Sequence, residues 1–221
     1  MPRRGVLGLL TGSAGALALG GCGLLERKAN YRYRLTLEAQ TPQGTVRGSG
    51  VLEEIATLTS IRIGDSTGKG GATRGEAIAI DLPGGPVFAL LELPDAGGPL
   101  GSAVTAALAP EAAGGERSDY IDAMRSLGGW FGSASTELPR ADWPLMVRFR
   151  DLDDPTTVER VEPEAAGIRR IVLETTGDEV TRGVDRRLGW LNHLDRYCTD
   201  PSNPFTNTLP QEIGHLRRGV Q

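Results

Sequence analysis

The chain has 221 residues with 24 Lys and Arg against 28 Asp and Glu, a net charge of −4, and only two histidines and two cysteines. This balance leaves no basic surface of the kind that binds nucleic acid, and two histidines are too few for a zinc cluster of ordinary spacing. A disulfide framework is excluded by the same scarcity of cysteine.

The first predicted element is a leader. Arg3 and Arg4 precede an uncharged stretch from Val6 to Leu19, which ends in Leu19-Gly20-Gly21-Cys22. The stretch is shorter than the roughly 20 residues needed to span a bilayer core of about 30 Å, so a removable signal peptide over 1–21 is expected. The run Leu19 to Cys22 resembles the lipobox of bacterial lipoproteins, with a branched aliphatic three positions before the cysteine and small residues between. That resemblance implies cleavage before Cys22, lipidation of its thiol by a diacylglycerol and an acylated new amino terminus. It also implies a membrane partner through the lipid, and a place in the cell envelope facing the periplasm. Gly23 stands where an inner-membrane retention Asp is often found, which favours the outer membrane. The Arg3-Arg4 pair leaves Sec and twin-Arg export both open. Without the leader, 22 basic residues face 28 acidic ones, a net charge of −6. With Cys22 acylated, Cys198 has no internal partner and reads as a partly buried small hydrophobe.

Residues 22–30 are expected to form a polar, lipidated tether, and 31–221 a single α+β domain. Tyr31, Tyr33, Leu35, Leu37 and Ala39 alternate with polar residues to Gln40, the period of a half-buried strand. Thr41-Pro42-Gln43-Gly44 supplies a turn, and a strand from Thr45 to about Ile55 pairs back. Gly48-Ser49-Gly50 within it predicts a bulge or a close backbone approach. A strand over Arg74–Leu82 and another over Val87–Leu91, joined by Pro83-Gly84-Gly85-Pro86, extend an antiparallel meander. Ser102 is placed to cap a short helix ending near Ala109, and Ser118 a helix whose stripe is Tyr120, Ile121, Met124 and Leu127. Strands follow at Leu145–Arg150 and Ile168–Thr175, with a short helix between them capped by Asp154 and started by Pro155. A last helix is expected over Gly183–Tyr197, and Thr208 and Pro210 start one further turn carrying Ile213 and Leu216. The expected fold is thus a meander-type sheet of about six antiparallel strands flanked by three or four short helices.

Several local runs imitate catalytic motifs but depart from them in spacing. Gly64-Asp65-Ser66-Thr67-Gly68-Lys69-Gly70 has three residues between its glycines where a phosphate loop has four, and Gly70 where Ser or Thr binds magnesium. No nucleotide or other cofactor is expected. Asp151, Asp153 and Glu162 take positions one, three and twelve of a calcium loop, yet Pro155 and Thr156 replace its fifth ligand and glycine. An acidic capping turn accounts for them, and His193 reads as an ordinary polar or half-buried histidine. Ile61-Arg62-Ile63-Gly64-Asp65-Ser66 resembles the nucleophile block of the GDSL esterases. This implies an alternative function, an envelope-anchored serine hydrolase with Ser66 as nucleophile and His215 as base. The Asp-x-x-His of that family is here Glu212-Ile213-Gly214-His215, and its Gly-x-Asn-Asp block is absent. Stretches such as Tyr31–Leu37, Arg74–Ala77 and Val147–Pro155 loosely resemble uncharacterised bacterial proteins, which implies no activity. The leading expectation is a membrane-anchored, non-enzymatic binding or structural module of the envelope, with an envelope protein as partner.

Overall fold

The computed structural model describes residues 26–59, 69–95, 97–112, 117–129, 133–200, 202 and 207–219. The described strands run β1 (Glu26–Thr41), β2 (Gly44–Thr59), β3 (Lys69–Glu76), β4 (Ile78–Leu82), β5 (Gly85–Ala89), β6 (Ser135–Glu137), β7 (Met146–Phe149), β8 (Val158–Arg160), β9 (Ile168–Thr175) and β10 (Arg217–Arg218). Two α-helices, α1 (Leu100–Leu108) and α2 (Arg117–Leu127), lie between β5 and β6. The α+β class stands, but the strands form two sheets in place of one of about six. Their orders are β10-β3-β2-β1-β9-β6 and β4-β5-β7-β8.

The β1–β2 hairpin is built on the alternation seen in the sequence. Ala29, Tyr31, Tyr33, Leu35, Leu37 and Ala39 are all buried, and β2 answers them in phase with Leu52 and Ala56. The alternation starts at Ala29, paired with Ala56, so residues 26–30 belong to β1 and not to a tether. Pairing runs unbroken from Glu26–Thr59 to Thr41–Gly44, so Gly48 and Gly50 make no bulge. They serve the close approach instead: a Cβ on Gly48 would lie 2.3 Å from the carbonyl oxygen of Ala79, and one on Gly50 2.9 Å from Ile78 Cγ1. The second sheet rests there.

The strand expected over Arg74–Leu82 is split. Gly75 has φ +148°, and the amide of Ala77 donates to the carbonyl of Leu216 at 2.8 Å instead of continuing the ladder. The chain therefore leaves the first sheet after Glu76 and enters the second at Ile78. Both faces of that second sheet are buried. Val87, Ala89 and Met146 join the main core with the first sheet, α1 and α2, while Phe88, Leu90, Val147 and Phe149 face a second core closed by the C-terminal residues. A strand covered on both sides reads as a continuous apolar run, as Val87–Leu91 does.

α1 follows Pro99 and starts at Leu100, two positions before the expected cap Ser102, which sits inside it. Ser118 likewise lies within α2, whose Ile121, Met124 and Leu127 are buried as the stripe requires. The helix expected over Gly183–Tyr197 is two 3-10 segments, Val184–Arg186 and Gly189–Tyr197, the latter kinked at His193 (φ −137°, ψ 36°). Its apolar residues Leu188, Leu191, Leu194 and Tyr197 recur every third position, which suits three residues per turn. Asp154 does cap the turn Pro155–Thr157, its carboxylate accepting from the Thr156 amide at 2.9 Å.

Candidate functional site

A buried row of polar side chains lies under the start of α1. Pairing sets Tyr31, Glu54 and Thr73 in one row across β1, β2 and β3, and all three are buried. Glu54 shares the face of Leu52 and Ala56, so its carboxyl points into the apolar layer. Room for it comes from Gly101, in the first turn of α1, where a Cβ would stand 2.1 Å from the carboxyl carbon. Pro99 offers α1 no side-chain cap. The Glu54 carboxyl is thus placed where a helix N-terminus favours negative charge.

Hydroxyl groups complete the row. Tyr33 Oη donates to Glu54 Oε1 at 3.4 Å, and Tyr31 Oη lies 2.8 Å from Thr105 Oγ1, which donates to the Gly101 carbonyl at 2.9 Å. Burial raises the Glu54 pKa to about 7, against the opposing pull of hydrogen bonds from Thr73 and Tyr33 and the charge of Arg218. Burial likewise pushes the phenols of Tyr31 and Tyr33 well above their usual range, and the nearby Glu54 adds to it.

Arg218 links this row to a second cluster. Its Nη2 donates to Glu92 Oε2 at 2.6 Å and to His215 Nδ1 at 2.7 Å, while that nitrogen is 3.2 Å from the same Glu92 oxygen. Next to them, Glu76 is almost fully buried and accepts from the amides of Gly183 (2.6 Å) and Val184 (2.8 Å) and from Arg217 Nε (3.0 Å). Two adjacent arginines of β10 are thus each held by a carboxylate. The groups suit proton storage and clamping, and every buried side-chain nitrogen and oxygen among the described residues has a hydrogen-bond partner.

A separate cleft of about 410 Å³ opens at the other end of the β1–β2 hairpin, lined by Gln40, Leu82, Val87, Arg148, Arg160 and Ala166. Its arginines are paired, Arg148 with Glu159 at 3.2 Å and Arg160 with Glu212 at 2.9 Å.

Of the residues singled out in the sequence, Cys22 and Ser66 lie outside the described residues, as does most of the Gly64–Gly70 run. His215 joins Glu92 and Arg218, beside the end of β3 that pairs with β10. Lys69, the described residue that follows Ser66 most closely, opens β3 at its opposite end. His193 is exposed at the kink, and Cys198 is half-buried with its Sγ 3.8 Å from the Leu194 carbonyl. Asp151 accepts from the Asp153 amide at 2.9 Å, as a capping turn does, and Glu162 is exposed beyond it. Among the described residues no group of three or more His, Cys, Asp or Glu is placed to hold a metal ion, and no helix is long and apolar enough to cross a membrane.

Sequence reading missed Glu54, Glu76, Glu92 and Arg218. For Glu54 a signal existed, because a carboxylate in phase with Leu52 and Ala56 breaks the apolar face of its strand. The other three take their meaning from elements far along the chain and carry no local mark. Comparison of the chain with family models, with curated proteins and with solved structures gave no match.

Proposed function

We propose that this chain is a lipid-anchored protein of the bacterial cell envelope, acylated at Cys22, whose folded part is a non-enzymatic binding or structural module for an envelope component. The observation that carries the reading is the lipobox-like run Leu19-Gly20-Gly21-Cys22 standing four positions before Glu26, the first residue of β1. Four residues reach about 14 Å at full extension, so acyl chains on Cys22 would hold one end of the hairpin at the bilayer. Two or more chains are needed for firm attachment, each buried methylene contributing about 0.8 kcal/mol. Sixteen residues of β1 at about 3.3 Å each would then carry the Thr41–Gly44 turn, and the cleft beside it, about 50 Å from the membrane-proximal start of β1. A cleft of this size is within the range of ligand sites, which supports a binding role. A catalytic role has less support, because the groups around Glu54 and Arg218 are engaged with one another.

Mass spectrometry of the mature protein tests the reading. A new amino terminus at Cys22 carrying acyl chains, and release of the Cys22→Ala protein from membranes, are the expected results. An unmodified Cys22 in a protein that washes freely from membranes overturns the anchor. Turnover of an activated ester that vanishes in Ser66→Ala would replace the binding role by hydrolysis.

A further inference from the structure

β2 has an outer neighbour along only part of its length. β3 pairs with it from Glu53 to Leu58, and at Val51 a single residue takes over: the Thr181 amide donates to the Val51 carbonyl at 3.0 Å, and its hydroxyl accepts from the Val51 amide at 2.9 Å. Residues two apart on a strand aim their backbone groups the same way. Thr45, Arg47 and Ser49 therefore turn one N–H and one C=O each toward the side on which Val51 meets Thr181. Those six groups have no hydrogen-bond partner among the described residues, and all three residues are exposed. Behind them the β1–β2 ladder is unbroken, which makes this stretch a template for a further strand.

The outer face carries a row of charges that ends at this edge. Glu137 on β6 binds Arg170 on β9 at 2.9 Å, Arg170 lies 3.9 Å from Glu38 on β1, and Glu38 binds Arg47 on β2 at 2.8 Å. The signs alternate from strand to strand and the last is positive, so the place beyond Arg47 suits an anion. A second copy of the chain does not supply one. The two-fold pairing that uses all six backbone groups sets Arg47 directly opposite Arg47, and like charges so placed repel. On the inner face, Gly48 and Gly50 lie against Ala79 and Ile78. A cavity of about 200 Å³ opens beside them, lined by Ser49, Gly50, Ile78, Ala79, Thr181 and Arg187. Arg187 is bound by Asp81 at 2.9 Å, which leaves Ile78 and Ala79 as an apolar wall. Side chains of an added strand alternate between faces, so the neighbours of a residue opposite Arg47 point to this inner side.

We propose that Thr45–Ser49 of β2 is a docking edge for an extended segment of another protein, which adds to the first sheet as a strand. The segment carries an acidic residue opposite Arg47 and an apolar residue that enters the cavity beside Gly50. Main-chain hydrogen bonds to Thr45, Arg47 and Ser49 supply the affinity, and the charge and the cavity supply the selection. Arg47 thus discourages pairing between copies and favours an acidic strand. This partner site goes beyond the anchoring of Cys22 and does not depend on it.

The probe is an acetylated and amidated nonapeptide that alternates Thr and Val, with Glu in place of the central Thr, added to the purified full chain. At about millimolar peptide, amide hydrogen exchange should slow by about tenfold or more at Thr45, Arg47 and Ser49. The amides of Val46 and Gly48, which face β1, should not change. The same peptide with a central Lys should bind about fivefold more weakly, and Arg47→Glu should reverse that preference. Unchanged exchange at the three amides, or Glu and Lys peptides that bind the wild type alike, overturns the proposal. So does protection of the three amides that grows with the concentration of the protein alone, which is the mark of a second copy. The two peptides are compared on the wild type, so the test stands even if Arg47→Glu does not fold.

Discussion

β1 and β2 pair residue for residue from Glu26–Thr59 to Thr41–Gly44, whereas the described residues between Gly183 and Arg218 reach the core in short 3-10 turns. In the hairpin, neighbouring strands satisfy the backbone, and alternate side chains bury themselves. In the C-terminal segment the backbone is satisfied piecemeal, by the Glu76 carboxylate at Gly183 and Val184 and by single bonds such as that from the Ala77 amide to the Leu216 carbonyl at 2.8 Å. Its apolar residues Val184, Leu188, Trp190, Leu191, Ile213 and Leu216 act as separate knobs on the far face of the second sheet. A ladder distributes its stability over many equivalent contacts; a segment held by knobs and clamps concentrates it in a few. The first should therefore unfold as one unit and the second locally.

Core truncation gives the largest contrast. Leu35→Ala, at a fully buried site of the hairpin, is expected to lower global stability by about 3–4 kcal/mol, read as a shift in denaturation midpoint. Leu191→Ala should cost about 2 kcal/mol and show mainly as faster amide exchange over 184–216. Equal global losses would remove the distinction.

The next effect is one of pH, and it belongs to the hairpin. The Glu54 pKa is about 7 in the folded state and 4.5 for an ordinary carboxyl, so the folded protein holds a proton that the unfolded chain has released. The stability it contributes is fully present below pH 4.5 and lost as the pH rises to about 7. At about 1.4 kcal/mol per pH unit the loss approaches 3 kcal/mol. Denaturation at pH 5 and pH 8 should show this decline in the wild type and a smaller one in Glu54→Gln. An identical decline in both would place the effect elsewhere.

Glu76→Ala removes the clamp that receives two amides and a guanidinium, and about 2 kcal/mol is expected, with exchange rising first around Gly183 and Val184. The smallest effect returns to the hairpin. Arg47 is mostly exposed, and its cross-strand bond to Glu38 at 2.8 Å is replaceable by water, so Arg47→Ala should change stability by no more than about 0.5 kcal/mol. A larger loss would mean that the hairpin too depends on single polar contacts.

How far the sequence could be read follows the same division. The alternation from Tyr31 to Ala39 was legible because period-two burial is a local property, and the strand Ile168–Thr175 because its apolar run Ile171–Leu173 is local too. The stop after Glu76 was hidden inside Arg74–Leu82, where Gly75 is the one local mark; its positive φ and the distant Leu216 carbonyl break the strand. Asp154 before Pro155 was legible as a cap because the bond it makes spans two residues. The helix expected over Gly183–Tyr197 was misread because an i+3 repeat suits both helix types until packing selects one. Of the site, His215 stood out as a rare residue, but its relation to Glu92 joins residues more than a hundred positions apart.

The sequence alone therefore determined the hairpin, its turn at Thr41–Gly44, the stripe of α2 and the lipobox-like run ending at Cys22. Each depends on spacing along a few consecutive residues. Only the tertiary structure decided that the strands part into two sheets, that Gly48 and Gly101 are glycines because a backbone and a carboxyl fill the space of their missing side chains, and that Glu54 is buried. The physical reason is distance: such features are set by atoms brought within about 3 Å by elements far apart in the chain, and no local period encodes that approach.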